Sequence, residues 1–365
     1  MDRRTFLAAS AALPLATALA RTARAQSFDP QPGRWRTFEM TTRVDMVKPA
    51  GVTRAWVPVP VVDTPWQKPV SVQWTGNGRT MEQITEKKYG ASLVYADWAD
   101  GEKSPWVEVV SRFQTQDRAH DWSRKGVDKA ESAATLALWT QPTELMPTDG
   151  IVKKTAEEIV QGKSGDVERV RALYDWVVTN SYREPKVRGC GAGDIRTMLE
   201  TGNMGGKCAD LNALFVGMAR SVGIPARDVY GIRVAKSSFG YKALGAGTPE
   251  VTRAQHCRAE VYLRDYGWVA MDPADVLKVM REETPEWIKS TANSLIVPVN
   301  ARLFGGWEGN WVGYNVAHDV ALPQSQGAKV AFLMYPQGET AEGRLDCLDP
   351  DNFKYRITAR EITAA

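Results

Sequence analysis

Residues 205–227 constrain this chain more than any other stretch. Gly205-Gly206-Lys207-Cys208-Ala209-Asp210 leads into a helical pattern and ends at Gly223-Ile224-Pro225-Ala226-Arg227. Leu211, Leu214, Phe215, Met218 and Val222 recur at three- and four-residue spacing, so one face of a helix packs inward, and Gly223 with Pro225 stops it. Cys208 therefore falls in the first turn, after two glycines that let a backbone come close to a bound group. Free backbone N–H groups and the positive end of the helix dipole there favour thiolate over thiol, and thiolate is the reactive form.

A nucleophilic thiolate needs a base, and the base needs an orienting group. The chain has three histidines, His120, His256 and His318. His256 opens an alternating run to Leu263, and residues 267–272 form a second run that Pro273 ends. The short turn Arg264-Asp265-Tyr266 makes the two an antiparallel hairpin, which brings the start of the first strand beside the end of the second. His256 and Asp272 are then neighbours. His318 is the rival base but has no evident strand partner, and His120 sits in a polar segment that reads as exposed.

The order Cys208, His256, Asp272, with the Gly-Gly-Lys-Cys-Ala-Asp helix start and the Gly-Ile-Pro-Ala-Arg segment, resembles the transglutaminase-like superfamily of papain-type cysteine enzymes over roughly residues 150–275. The resemblance implies an acyl-enzyme mechanism of the kind used by peptidases, amidases and cross-linking transamidases. Cys208 would attack a carbonyl, His256 would protonate the leaving amine and water would resolve the thioester. A transamidase replaces that water with an amine. A non-catalytic exported binding or scaffold protein on the same fold is the reading from another class.

The backbone N–H of Cys208 is a natural oxyanion donor. For the second donor there is no glutamine shortly before the cysteine; Asn203 is the upstream candidate, with a turn residue as its plain reading, and Trp176 and Tyr182 are others.

At the N-terminus, Asp2-Arg3-Arg4-Thr5-Phe6-Leu7 resembles a twin-arginine export signal. An alanine-rich apolar run and Ala23-Arg24-Ala25, a small-x-small cleavage site, follow it. The run is too short for a membrane span, so the expectation is a chain starting near Gln26 in a bacterial periplasm with no stable membrane anchor. Residues 1–25 hold Arg3, Arg4, Arg21 and Arg24 against Asp2, which leaves 42 basic and 42 acidic side chains in the remainder. That balance gives no reason to expect nucleic acid as a partner. No phosphate loop, dinucleotide fingerprint or CxxC pair is present, so no cofactor and no metal is inferred. A peptide or protein substrate, with cell-envelope peptides as a candidate, fits the expected location.

The expected fold is α+β: a signal at 1–25, a β-sandwich-like domain at 34–118, a connector at 119–150, a catalytic domain at 151–300 and a β extension at 301–365. Alternation marks strands at residues 36–47, 53–59, 70–74, 92–96 and 106–113. Eight of the thirteen tryptophans lie between Trp35 and Trp139, which fits core packing first and an aromatic groove second. Helical spacing covers residues 151–161 and 166–179, with Asp166 as an N-cap, and residues 194–200 form a shorter helix. Residues 236–253, rich in glycine and serine, lie between two core strands, where a substrate gate or a solvated connector would sit. With Cys208 kept reduced, Cys190, Cys257 and Cys347 allow one disulfide; Cys190–Cys347 is the expected pair, with Cys190 at the cleft as the alternative and Cys257 facing away from His256.

Overall fold

The computed structural model describes residues 27–126 and 130–362. The residues read as an export signal lie outside these ranges. The elements used below are β1 (Arg36–Asp45), β2 (Thr53–Pro58), β3 (Gln67–Gly76), β4 (Thr80–Thr85), β5 (Ser92–Trp98), β6 (Trp106–Thr115), α1 (Gly150–Val160), α2 (Asp166–Asn180), α3 (Cys208–Ser221), β7 (Ala226–Arg233), β8 (Gln255–Leu263), β9 (Gly267–Met271), α4 (Pro273–Glu282), β10 (Trp311–Asn315), β11 (Gln337–Thr340) and β12 (Lys354–Glu361).

The N-terminal strands form two antiparallel sheets, one ordered β12-β1-β6-β3 and the other built on β11-β2-β5-β4. Alternation sorts their side chains: Val44, Val107 and Val109 of one sheet meet Ala55, Val57, Val94 and Ala96 of the other in a shared core. Further along the same face of the first sheet, Phe38, Met40 and Phe113 pack on Ile232, Val312 and Tyr314 of the next sheet. β5 is buried along its whole length because both faces are covered. β4, the sequence Thr-Met-Glu-Gln-Ile-Thr, is a largely exposed edge strand with no apolar alternation to announce it.

The part that carries Cys208 is a four-stranded antiparallel sheet, β9-β8-β7-β10, with α3 laid across it. The expected C-terminal β extension is divided between the sheets: β10 completes this one, whereas β11 and β12 join the two N-terminal sheets. The chain thus returns to its beginning. α1 spans the expected residues within one position, and the residue before α2 is Gly165, so Asp166 opens that helix rather than capping it. α3 departs from the one-faced pattern, since residues 208–220 are buried all round. Small residues allow this: a Cβ at Gly217 would overlap the Ile195 side chain.

Candidate active site

The backbone of the Cys208 turn is set by one carboxylate. Asp210 Oδ2 accepts from the Lys207 N–H at 2.9 Å, and Oδ1 accepts from the N–H groups of Ala192 and Gly193 at 2.9 Å each. The carboxylate thereby clamps the 190–193 loop against the start of α3, and Ala209 N–H donates to the Cys190 carbonyl at 2.9 Å. Gly191, at φ +95°, is required here because a Cβ would overlap the Asp210 carboxylate.

The clamp carries Cys190 to the nucleophile. All four cysteines are free, so the expected Cys190–Cys347 pair is not formed, and Cys190 instead lines the cleft. Cys257 lies on the face of β8 that α3 covers, and the Cys190 and Cys257 thiols both lie close enough to Cys208 to influence it. The Cys190 S–H donates to the Gln255 carbonyl at 3.4 Å. The nearby Cys190 thiol most, then the Cys257 thiol, then His256 lower the Cys208 pKa, together outweighing burial and holding it well below the ordinary thiol range. Those two thiols are themselves pushed well above that range, Cys190 chiefly by its interaction with Cys208 and Cys257 chiefly by burial.

His256 and Asp272 meet as the hairpin predicts, but not as a cross-strand pair. β8 and β9 stay in register only as far as Ala259 opposite Met271. Asp272 then leaves the strand to cap α4, its Oδ1 accepting from Asp275 N–H at 3.1 Å, while Oδ2 contacts His256 Nε2 at 2.8 Å. That bond leaves Nδ1 for the sulfur. Burial would lower the His256 pKa, but the Asp275 and Asp272 charges prevail over it and over Arg233, raising the imidazole to about 9. The lowered thiol and raised imidazole favour a thiolate–imidazolium pair.

The carboxylates of this site are themselves supported. Asn212, one helical turn after Cys208, donates to the Cys257 carbonyl at 2.8 Å and to Asp272 Oδ1 at 3.3 Å, and accepts from Ala274 N–H. Asp275 Oδ1 bonds Arg233 Nη2 at 2.5 Å and lies 3.4 Å from His256 Nε2; against the raising effect of burial, Arg233 holds it well below the carboxylate range. Arg258, 3.6 Å from Asp272, lies over the rings of Trp311 and Trp307. Trp311 also donates to the His256 carbonyl at 2.8 Å. His256, Asp272 and Asp275 converge closely enough to hold a metal ion, but the two guanidiniums already balance these carboxylates electrostatically, which disfavours a further cation.

Asn212, Asp275, Arg233 and Arg258 were not singled out from sequence. Asp272-Pro273-Ala274-Asp275, with its N-cap spacing, was the one available signal. Gln255 was also missed. It precedes His256, lines the cavity with Cys208, and its side-chain nitrogen is buried with no hydrogen-bond partner. Asn203 is exposed, its Oδ1 accepting from Gly205 N–H at 3.4 Å in a turn, and neither it nor Trp176 or Tyr182 lines the cavity. His318 is bonded through Nδ1 to the Tyr230 hydroxyl at 3.1 Å in a separate cavity, and burial holds it well below its usual pKa. His120 is not simply exposed, since its ring packs edge-on against Trp122 and Tyr266. Residues 245–247, Glu250 and residues 252–255 form one wall of the Cys208 cavity. This wall is tied down by Val251 N–H to the Ile357 carbonyl and Ala359 N–H to the Pro249 carbonyl.

The transglutaminase-like superfamily core model matches residues 153–273, a span that holds Cys208, His256 and Asp272. An uncharacterised protein of Haemophilus influenzae is 34% identical over 345 residues, covering 89% of this chain and 91% of that one. A crystal structure of a Cytophaga hutchinsonii protein proposed as a cysteine protease superposes with a TM-score of 0.58 at 13% identity, covering 92% of this chain and 93% of that one; at this identity the likeness is one of fold. Residues 153–273 thus match the transglutaminase-like superfamily core, within a chain whose overall fold is similar to that of the Cytophaga hutchinsonii protein.

Proposed function

We propose that the protein is a cysteine-dependent acyl-transfer enzyme that hydrolyses an amide or peptide bond. The observation that carries the reading is the buried constellation at Cys208: a thiol held low, an imidazole held high, and an Asp272 carboxylate on the far ring nitrogen. Cys208 Sγ attacks the carbonyl carbon, and the His256 imidazolium gives its proton to the departing amine. Neutral His256 then takes a proton from water, whose oxygen attacks the thioester; the C–S bond breaks, the carboxylic acid leaves, and the Cys208 thiolate and His256 imidazolium are restored. In the transamidase variant an amine takes the place of water.

The developing oxyanion needs two donors. The Cys208 N–H at the helix start is one, and the unpartnered Gln255 amide is the second. Gln255→Ala should lower kcat by about tenfold or more with KM little changed; an unchanged kcat removes Gln255 from the mechanism. Action outside the cytoplasm, in a bacterial periplasm, accords with the sequence of residues 1–25.

The decisive experiment traps the acyl-enzyme. Incubating the protein with a cell-envelope peptide extract and reading intact and peptide mass should place a thioester adduct on Cys208 that is absent from His256→Ala. Identical adducts on both proteins would contradict the mechanism, and an adduct resolved by added amine in preference to water would favour the transamidase.

A further inference from the structure

The cavity in front of Cys208 is about 880 Å³, a size that encloses a short peptide. Its lining is one-sided in charge. Seven lysines and arginines line it, beside His256, against a single acidic side chain, Glu250, although basic and acidic residues are balanced over the chain beyond residue 25. Glu250 is already paired with Arg356 at 2.7 Å.

Three of the basic residues are neutralised by carboxylates outside the lining. The other four, Lys207, Arg253, Lys278 and Lys354, have no ion-pair partner among the described residues. Lys207 immediately precedes the nucleophile, Arg253 and Lys354 stand on the wall and rim, and Lys278 projects from α4. Lys278 is the most telling. It is half-buried, and burial together with the neighbouring Arg233 pulls its ammonium down to about 8 despite Asp275 and Glu282 nearby. Holding an unpaired cation there is costly, and a bound anion would relieve the cost. A cleft lined by one sign of charge also concentrates ligands of the opposite sign.

We infer that this cavity takes an acidic peptide, an acyl donor whose carboxylates lie beside the carbonyl that Cys208 attacks and are held by Lys207 and Lys278, with Arg253 and Lys354 receiving further acidic residues. The inference rests on the acyl-transfer reading for the role of that peptide. The binding itself requires no chemistry, so the two can fail separately.

The test uses the full chain with Cys208→Ala and two dye-labelled probes, tetraglutamate and tetraglutamine, with binding read by fluorescence anisotropy. Tetraglutamate should bind about tenfold more tightly at low salt, the gap closing as salt screens the charges. Lys278→Gln and Lys207→Gln should each narrow it by about threefold, and the rim variant Lys354→Gln should narrow it less. Equal binding of the two peptides, or a preference that none of the substitutions changes, would overturn the proposal. A protein that binds tetraglutamate in this way yet forms no thioester on Cys208 would keep the acidic site and lose the enzymatic reading.

Discussion

Around Cys208, the charges are arranged so that proton position and stability are linked. His256 holds its proton with a pKa of about 9 in the folded protein, against 6.5 for the free side chain. The stabilisation from the imidazolium is therefore complete below pH 6.5 and is lost as pH rises toward 9. Activity should follow the same group, with an alkaline limb near pH 9. Of the carboxylates that raise His256, Asp275 contributes most. Asp275→Asn should move the alkaline limb of kcat/KM down by about one pH unit. It should also destabilise the fold by about 3 kcal/mol, because Arg233 is left as a buried charge without its partner. A limb that stays near pH 9 in this variant would mean that Asp272 alone sets the imidazole. The three catalytic candidates were legible in sequence because histidine is scarce here and a cysteine after paired glycines at a helix start is a specific pattern. Asn212, Asp275 and Gln255 were not, since a polar residue in an apolar helix or strand acquires meaning only when the fold shows what it faces.

At the scale of elements, α3 and the 190–193 loop behave as one piece. The Asp210 carboxylate receives three backbone N–H donors and cannot yield without losing them. Gly191→Ala puts a methyl group into that carboxylate at a positive φ and should cost about 2–4 kcal/mol and most of the activity. Gly202→Ala, also at positive φ but facing open space, should cost only about 1 kcal/mol and spare turnover. Thermal unfolding of the two variants side by side checks this, and equal losses would show that the clamp contributes little. Periodicity revealed the existence of α3 but not its burial on all sides, which depends on small residues such as Gly217 meeting Ile195. The hairpin argument likewise brought His256 and Asp272 together while missing that Asp272 acts from a helix cap.

Across the whole molecule, the chain closes on itself. β12 pairs with β1 over eight residues, from Phe38 opposite Glu361 to Asp45 opposite Lys354, and Tyr355 with Lys354 also lines the cavity. Truncation after Asn352 should therefore destabilise the N-terminal sheets and lower activity together, seen as loss of cooperative unfolding by circular dichroism; a stable, active truncated protein would contradict this. The two-part α+β architecture was legible from the change of hydrophobic period near residue 150. The return of β11 and β12 to the first sheets was not, because strand pairing between distant segments leaves no mark in local pattern. What the assembly favours is the thiolate form of Cys208, and the pH dependence of its alkylation by iodoacetamide, followed by peptide mass spectrometry, measures that directly. An ordinary thiol gains about tenfold in rate per pH unit below its pKa. The predicted result is a Cys208 rate at pH 6 within about threefold of that at pH 8, with Cys347 rising steeply and His256→Ala restoring steepness at Cys208. A Cys208 rate that climbs with pH in the unaltered protein as Cys347 does would contradict the account.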